Sequence, residues 1–195
     1  MNGCRTFAKK TMKLNTAELI EDLIERTRHN MNTVQQLTEY DDAILNWKAA
    51  AESWSVLECI EHLNRYGNFY LPEIELRMKA APDSTNNNTF KSGWLGNYFA
   101  RLIGPKEKVN SMKTLKPMNP SGSALDTSVL TSFIEQQKTI LDLLQIAKRK
   151  NLSRIKTSIS ISNFIKLRLG DTFRVVIYHN QRHIQQAQRA LKAQG

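Results

Sequence analysis

Two histidines near the end of the chain, His179 and His183, have the spacing of a shared metal site. On a helix they lie one turn apart on the same face, where two neutral imidazoles can bind one ion. Buried imidazoles also need partners, because each has a donor and an acceptor to satisfy. The alternative is that they are core histidines bonded to a facing polar group such as Gln137. His29, in contrast, falls on the polar side of its predicted helix and is expected at the surface.

A third histidine, His62, favours the metal interpretation. It shares one side of a predicted helix with Tyr66 and Phe69, an apolar setting that suits a ligand better than an uncoordinated imidazole. Helical bundles commonly build metal sites from side chains on facing helices. Three imidazoles with an open fourth position are typical of catalytic zinc. The sequence therefore predicts a divalent metal site formed by His62, His179 and His183.

Other residues near these histidines could take part in chemistry. Glu58 could act as a general base, although a capping box with Ser55 already explains its position. Tyr66 could offer its hydroxyl to a bound ligand, and Gln186 could orient a ligand from behind. Cys59 is a weaker candidate for a fourth ligand, since buried free cysteine usually behaves as a small hydrophobe.

Apolar residues at helical spacing predict four long helices that would position these side chains. The first opens at Asn15 in a capping-box pattern and ends near Tyr40. The second begins after Ser55, and Pro72 is expected to kink or break it. The third starts near Asp126 and ends in AKRKN, where cations suit the helix dipole.

The fourth helix is predicted to follow Gly170 and Asp171 and to have two distinct faces. Its inner face carries apolar, small and histidine residues, and its outer face carries polar ones. The inner residues are Leu169, Thr172, Val176, His179, His183, Ala187 and Ala190. The outer residues are Arg174, Gln181, Gln185, Arg189 and Lys192. Together the four segments predict an all-α fold, a four-helix bundle.

A long insertion, residues 83–125, separates the second and third helices. Most connections are far shorter, and long ones usually serve as lids or mobile linkers. Apolar residues around Trp94 to Ile103 favour a packed amphipathic helix within it. Residues 1–14 are expected to be a flexible basic extension, and residues 15–195 a single domain.

Composition excludes several classes of protein. The net charge is +10, but no stacking aromatics alternate with the basic residues, which argues against nucleic-acid binding. No apolar run approaches the length of a membrane span, and no secretion signal is evident. Only Cys4 and Cys59 are present, which favours the cytoplasm. The sequence contains no phosphate-binding glycine loop, nucleophile elbow or CxxC pair.

Two segments, WSVLECIEHLNRY and LGDTFRVVIYHNQRHIQQAQRALK, are similar to the signature helices of the DinB/YfiT-like superfamily of metal-dependent enzymes. The resemblance covers most of the chain. The insertion and the basic extension depart from the compact pattern of that family. The residues that carry the likeness are Trp54, His62, Leu169, Gly170, His179, His183 and Gln186.

The resemblance implies an up-and-down bundle in which His62, His179 and His183 bind zinc, nickel or a similar ion. Characterised relatives include thiol S-transferases that use bacillithiol and a mycothiol-dependent isomerase. Relatives often pair, and the apolar insertion could supply the interface of a homodimer.

These observations support one leading hypothesis and two alternatives. The leading one is an enzyme whose divalent ion lowers the pKa of a bound water or low-molecular-weight thiol, for hydrolysis or thiol transfer to a small-molecule substrate. The first alternative is a non-catalytic, metal-stabilised or stress-related binding module with a basic surface. The second is a metal-free bundle that binds a hydrophobic ligand between its helices.

Overall fold

A computed structural model of the chain describes residues 12–85, 88–104 and 114–194. Within those ranges the chain is mostly helical, with two short antiparallel sheets. The helices are α1 (Thr16–Leu37), α2 (Asp42–Asn46), α3 (Val56–Lys79), α4 (Trp94–Ile103), α5 (Ser128–Ala147) and α6 (Leu169–Lys192). The strands are β1 (Lys13–Asn15), β2 (Thr89–Lys91), β3 (Lys156–Ile159) and β4 (Ser162–Arg168). No helix of the described ranges is both long and apolar enough to cross a membrane.

The four long helices enclose the core. Helices α1 and α3 each pack against both α5 and α6. Apolar residues spaced three and four apart bring one side of each helix to this core, as the sequence predicts. Fully buried members from the four helices include Leu23, Ile74, Leu144 and Ile177.

The predicted starts of the first two long helices are confirmed, whereas α6 begins at Leu169 and so includes Gly170 and Asp171, which were expected to precede it. Asn15 Oδ1 accepts hydrogen bonds from the backbone of Ala17 and Glu18 at the start of α1. Ser55 and Glu58 form both halves of a capping box at the start of α3. Such caps satisfy backbone N–H groups that have no partner within the helix.

The sequence predicted a kink or a break at Pro72, but the break is absent: α3 runs without interruption from Val56 to Lys79. Proline inside a helix costs about 3 kcal/mol. Tyr70, Leu71 and Ile74 are buried around it, and the packing of this face against α5 and α6 offsets the cost.

The insertion contains the predicted amphipathic helix, α4, which packs against α6. The Asp171 carboxylate accepts from Ser92 Oγ at 2.5 Å and from Gly93 N at 2.7 Å. A Cβ atom at Gly96 would lie 2.4 Å from Asp171 side-chain atoms, so the two helices approach closely. Arg174, expected on the outer face of α6, is instead buried, with Nη1 3.2 Å from Asp171. The prediction was wrong there because the insertion covers that face.

The sheets correct the all-α prediction. Strand β1 pairs with β2, with Leu14 opposite Phe90, and so joins the chain before α1 to the insertion. Residues 1–11 of the predicted extension lie outside the described residues. Strands β3 and β4 form a hairpin before α6, with an irregularity in register between Ser158 and Ile159. The alternation in KTSISIS was the signal for this hairpin.

Candidate metal centre

The three predicted ligands come together between α3 and α6. One ring nitrogen from each of His62, His179 and His183 lies within 4.8 Å of the others. His62 Nε2 is 3.3 Å from His179 Nε2. The ring centroids are 4.5 to 5.0 Å apart. This spacing follows from the single turn between the two histidines of α6 and from the antiparallel contact with α3.

Hydrogen bonds at Nδ1 orient two of the rings, those of His62 and His183. His62 Nδ1 lies 2.7 Å from the Met118 carbonyl oxygen, and His183 Nδ1 lies 3.0 Å from Gln186 Oε1. Both oxygens only accept, so each Nδ1 donates and each Nε2 keeps its lone pair. Partners of this kind orient histidines that bind metals. The sequence predicted a supporting position for Gln186 and missed the carbonyl of Met118.

The Met118 carbonyl belongs to a single 3₁₀ turn, Lys116–Met118. Arg65, three residues after His62 in α3, holds the chain after this 3₁₀ turn by donating to the Asn119 carbonyl at 2.7 Å. Arg65 also forms an ion pair with Glu61 at 2.8 Å. No local sequence signal links this turn to His62, because the contact depends on the path of the insertion.

Burial keeps all three imidazoles neutral. It lowers the pKa of His62 to about 4 and that of His183 to about 3, and it lowers the pKa of His179 well below its ordinary value. The neighbouring histidines lower the pKa values of His179 and His183 further. At neutral pH the lone pairs are therefore free of protons, which metal binding requires.

Aromatic rings surround the histidines. The Trp54 centroid is 4.7 Å from that of His62 and 5.7 Å from that of His183. The Tyr66 ring lies 4.9 Å from His62 and 4.7 Å from His179. Burial also raises the pKa of Tyr66, so its phenol stays protonated. Trp54 and Tyr66 therefore lie directly against the histidine rings.

Glu58 is engaged elsewhere. Its carboxylate accepts from Ser55 N at 2.9 Å, from Lys48 Nζ at 2.7 Å and from Gly122 N at 3.3 Å. These contacts use its oxygens for the helix cap and the neighbouring loop. Cys59 is buried, and burial raises the pKa of its thiol. Neither residue is among those that line the cavity beside the histidines.

Gln137, the alternative partner considered for the histidines, pairs with a different residue. Its Oε1 accepts from Asn180 Nδ2 at 3.1 Å inside the core. His29 is exposed, as the helical pattern predicts.

A cavity of about 960 Å³ opens beside the three histidines. Its wall near them includes Trp54, Tyr66 and Gln186, together with Arg182 and Arg189 of α6. The charges of both arginines lower the pKa of His183. Arg182 and Arg189 therefore place positive charge near the histidines, and the volume of the cavity is large enough for a small-molecule substrate.

A sequence model of the DinB superfamily matches residues 23–187. The chain belongs to the DinB superfamily. This match spans both helices that supply the histidines and includes the insertion, and it confirms the resemblance of the two signature segments. Comparisons of this DinB-superfamily chain with curated proteins and with solved structures give no match.

The donor set of this DinB-superfamily chain fits a divalent metal ion. Three neutral imidazoles converge, and two of them are held by partners that leave Nε2 available. Nitrogen donors of this type suit several transition metals, zinc and nickel among them. His62, His179 and His183 could therefore hold the ion.

Proposed function

We propose that this protein is a metal-dependent enzyme that activates a water or a low-molecular-weight thiol toward a small electrophile. The observation that carries the proposal is the convergence of three ring nitrogens within 4.8 Å beside a cavity. Zinc and nickel are the ions proposed, because both accept imidazole ligands.

The protein's own residues bind, orient and shield. His62, His179 and His183 would hold the ion through neutral ligands, so its positive charge would not be cancelled. When bound, a divalent ion supplies a Lewis acid that lowers the pKa of a water or thiol. The Met118 carbonyl orients the ring of His62, and Gln186 orients the ring of His183. Gln186 is therefore proposed as a residue that supports a metal ligand.

Tyr66 and Trp54 exclude water from one side of the site, and the protonated Tyr66 hydroxyl could donate a hydrogen bond to a bound substrate. Exclusion of water strengthens electrostatic interactions within the site. No step is assigned to Glu58, whose oxygens are occupied in the helix cap.

Two reaction types are consistent with this site, hydrolysis and thiol S-transfer. In the first, an oxygen nucleophile from water would attack the electrophile, and in the second a thiolate sulfur would do so. Resemblance to thiol S-transferases favours the second type.

The test is an assay of the zinc-loaded and the nickel-loaded protein with 1-chloro-2,4-dinitrobenzene and cysteine, glutathione or bacillithiol, and in parallel with 4-nitrophenyl acetate and water. Activity should fall at least about a hundredfold in His179→Ala. The matched control is His29→Ala, which removes an exposed histidine and should leave activity unchanged. Inactivity of the metal-loaded protein across all thiols and the ester would contradict the proposal.

The second candidate is a non-catalytic, metal-stabilised module whose basic surface binds an acidic partner. The net charge of +10 favours it. Salt-sensitive binding to duplex DNA that is unchanged in His179→Ala, together with inactivity in the assays above, would support this candidate.

Helices α3 and α5 run in the same direction, with Asn64 bonded to Val129 and Asn68 to Gln136, so this chain departs from the up-and-down order that the resemblance implies. We propose instead that α1, α3, α5 and α6 form a four-helix bundle with a different order of directions, in one domain over residues 15–195. Their pairwise packing supports this. A cytoplasmic location is proposed from the buried free Cys59. A homodimer is proposed from the family resemblance, and light scattering after size-exclusion chromatography measures it.

A further inference from the structure

The cavity beside the histidines continues along α6 towards the insertion. On α6 it is lined first by Val175 and Val176, then by His179 and His183, and further along by Gln186 and Arg189. Val175 precedes His179 by four residues, which corresponds to about 6 Å along the helix axis. The cavity therefore extends past the histidines in both directions along α6, and its end around Val175 begins about one helical turn from His179.

The end of the cavity around Val175 has apolar walls. We call it the apolar lobe, and it is formed by three residues of α4, two of the β3–β4 hairpin and one of α6. The three side chains of α4 are only half-buried, whereas the other three are buried. The six residues are Phe99, Leu102, Ile103, Ile159, Leu167 and Val175.

Polar groups are concentrated around the histidines, where His62, Gln186 and Arg189 line the wall. Arg182 lies between this region and the lobe, since its Nη1 is 3.5 Å from the backbone carbonyl oxygen of Leu102. Near the lobe, the hydroxyl of Tyr70 also lies in the wall, but it already contacts Ser160 Oγ at 3.4 Å and the Ser160 backbone N–H at 3.3 Å. A cavity in which a polar region lies next to an apolar one is suited to an amphipathic ligand.

The wall formed by α4 is held in place independently of any ligand. Asp171 of α6 bonds to Ser92 and Gly93 just before α4, and Gly96 sits directly against it. Phe99 and Ile103 pack around a small cluster that includes Ile159, Leu167 and Val175. Because α4 is anchored in this way, its half-buried apolar side chains stay exposed to the cavity. Covering such surface is worth about 25 cal/mol per Å².

We propose that the apolar lobe binds the hydrocarbon body of the substrate, an aliphatic chain or a ring system, while the reacting polar group of the same molecule lies at the three histidines. Recognition of the body rests on the lobe alone. Only the placement of the reacting group rests on the proposed function. The insertion thus selects substrates by their apolar part.

The first test is binding of the neutral probe N-phenyl-1-naphthylamine to the full-length protein, followed by its fluorescence. Leu102→Trp fills the lobe and should weaken binding at least tenfold. Leu76→Trp is the matched control, because Leu76 is exposed on α3 and does not line the cavity. If Leu102→Trp fails to fold, as judged by circular dichroism, Ile103→Trp replaces it.

The second test is displacement of the probe by 1-alkanols of increasing length. Each added methylene should increase affinity about fourfold until the lobe is full, since a buried methylene contributes about 0.8 kcal/mol. Absence of probe binding, equal binding by wild type and the lobe variant, or affinity independent of chain length would each overturn the inference.

Metal content measured on the same proteins separates this inference from the proposed function. Leu102→Trp should keep its metal and lose the probe, whereas His179→Ala should lose its metal and keep the probe. If Leu102→Trp binds the probe as well as the wild type does, and the wild type contains metal, only the inference is overturned. Probe binding without metal in the wild-type protein would overturn only the proposed function.

Discussion

Replacing Asp171 by alanine tests how the insertion is held on α6. The side chain is fully buried and accepts from Ser92 Oγ, Gly93 N and Arg174 Nη1. In Asp171→Ala all three donors lose the carboxylate, although Ser92 Oγ stays within 3.3 Å of the Gly93 carbonyl and Arg174 Nη1 within 3.2 Å of Ser92 Oγ. Arg174 is itself 5% exposed, so its charge would stay buried beside a methyl group.

The expected cost follows from these contacts. Breaking a buried ion pair by removing one partner costs about 3–5 kcal/mol. Burial raises the pKa of Asp171 although Ser92, Gly93 and Arg174 favour its ionised form. These contacts therefore do not fully offset the cost of removing the carboxylate from water. We therefore expect the lower end, about 3 kcal/mol, which for a chain of this size corresponds to a decrease of about 6–12 °C in Tm.

The assay combines urea unfolding with hydrogen exchange of the α4 amides. Asp171→Ala should lower the free energy of unfolding by that amount and speed exchange in α4. The control is Asp171→Asn, which keeps one acceptor and the size of the side chain and should lose less. A loss below about 1 kcal/mol with unchanged exchange in α4 would refute the reasoning.

Three further predictions concern the site and its supports. The metal-free protein should lose stability as pH falls from 6.5 towards 4, because the histidines of the unfolded chain are protonated at a higher pH than those of the folded protein. His62 alone contributes on the order of 3 kcal/mol to this loss, and urea titrations at several pH values measure the free energy of unfolding. Gln186→Ala should weaken metal affinity about 10- to 100-fold by freeing the ring of His183, which competition with a chelating dye measures. Gly170→Ala should cost about 1–3 kcal/mol, because a Cβ atom there would lie 2.6 Å from the Phe90 ring, and thermal unfolding measures this loss. Stability independent of pH, unchanged metal affinity or an unchanged Tm would contradict the respective prediction.

The sequence was sufficient to predict that the three histidines lie together, because helical periodicity fixes which residues share a face. The i, i+4 spacing of His179 and His183 and the apolar side that carries His62 are local properties, and the structure brings all three together. The amphipathic helix of the insertion was readable for the same reason.

Contacts between distant segments were not readable. Arg174 looks like a surface residue on a helical projection, yet α4 covers it. The Met118 carbonyl reaches His62 only through the path of the insertion. Pro72 breaks an isolated helix, but tertiary packing holds α3 together.

The central claim, a metal site formed by three histidines, is tested most directly by the metal content of the untagged protein. Elemental mass spectrometry would compare wild type with His62→Ala and His179→Ala, with His29→Ala as the control. We predict close to one zinc or nickel ion per chain in wild type and control, and loss of the ion in both site variants. Absence of metal from the wild-type protein after supply of zinc, nickel and manganese would contradict the account.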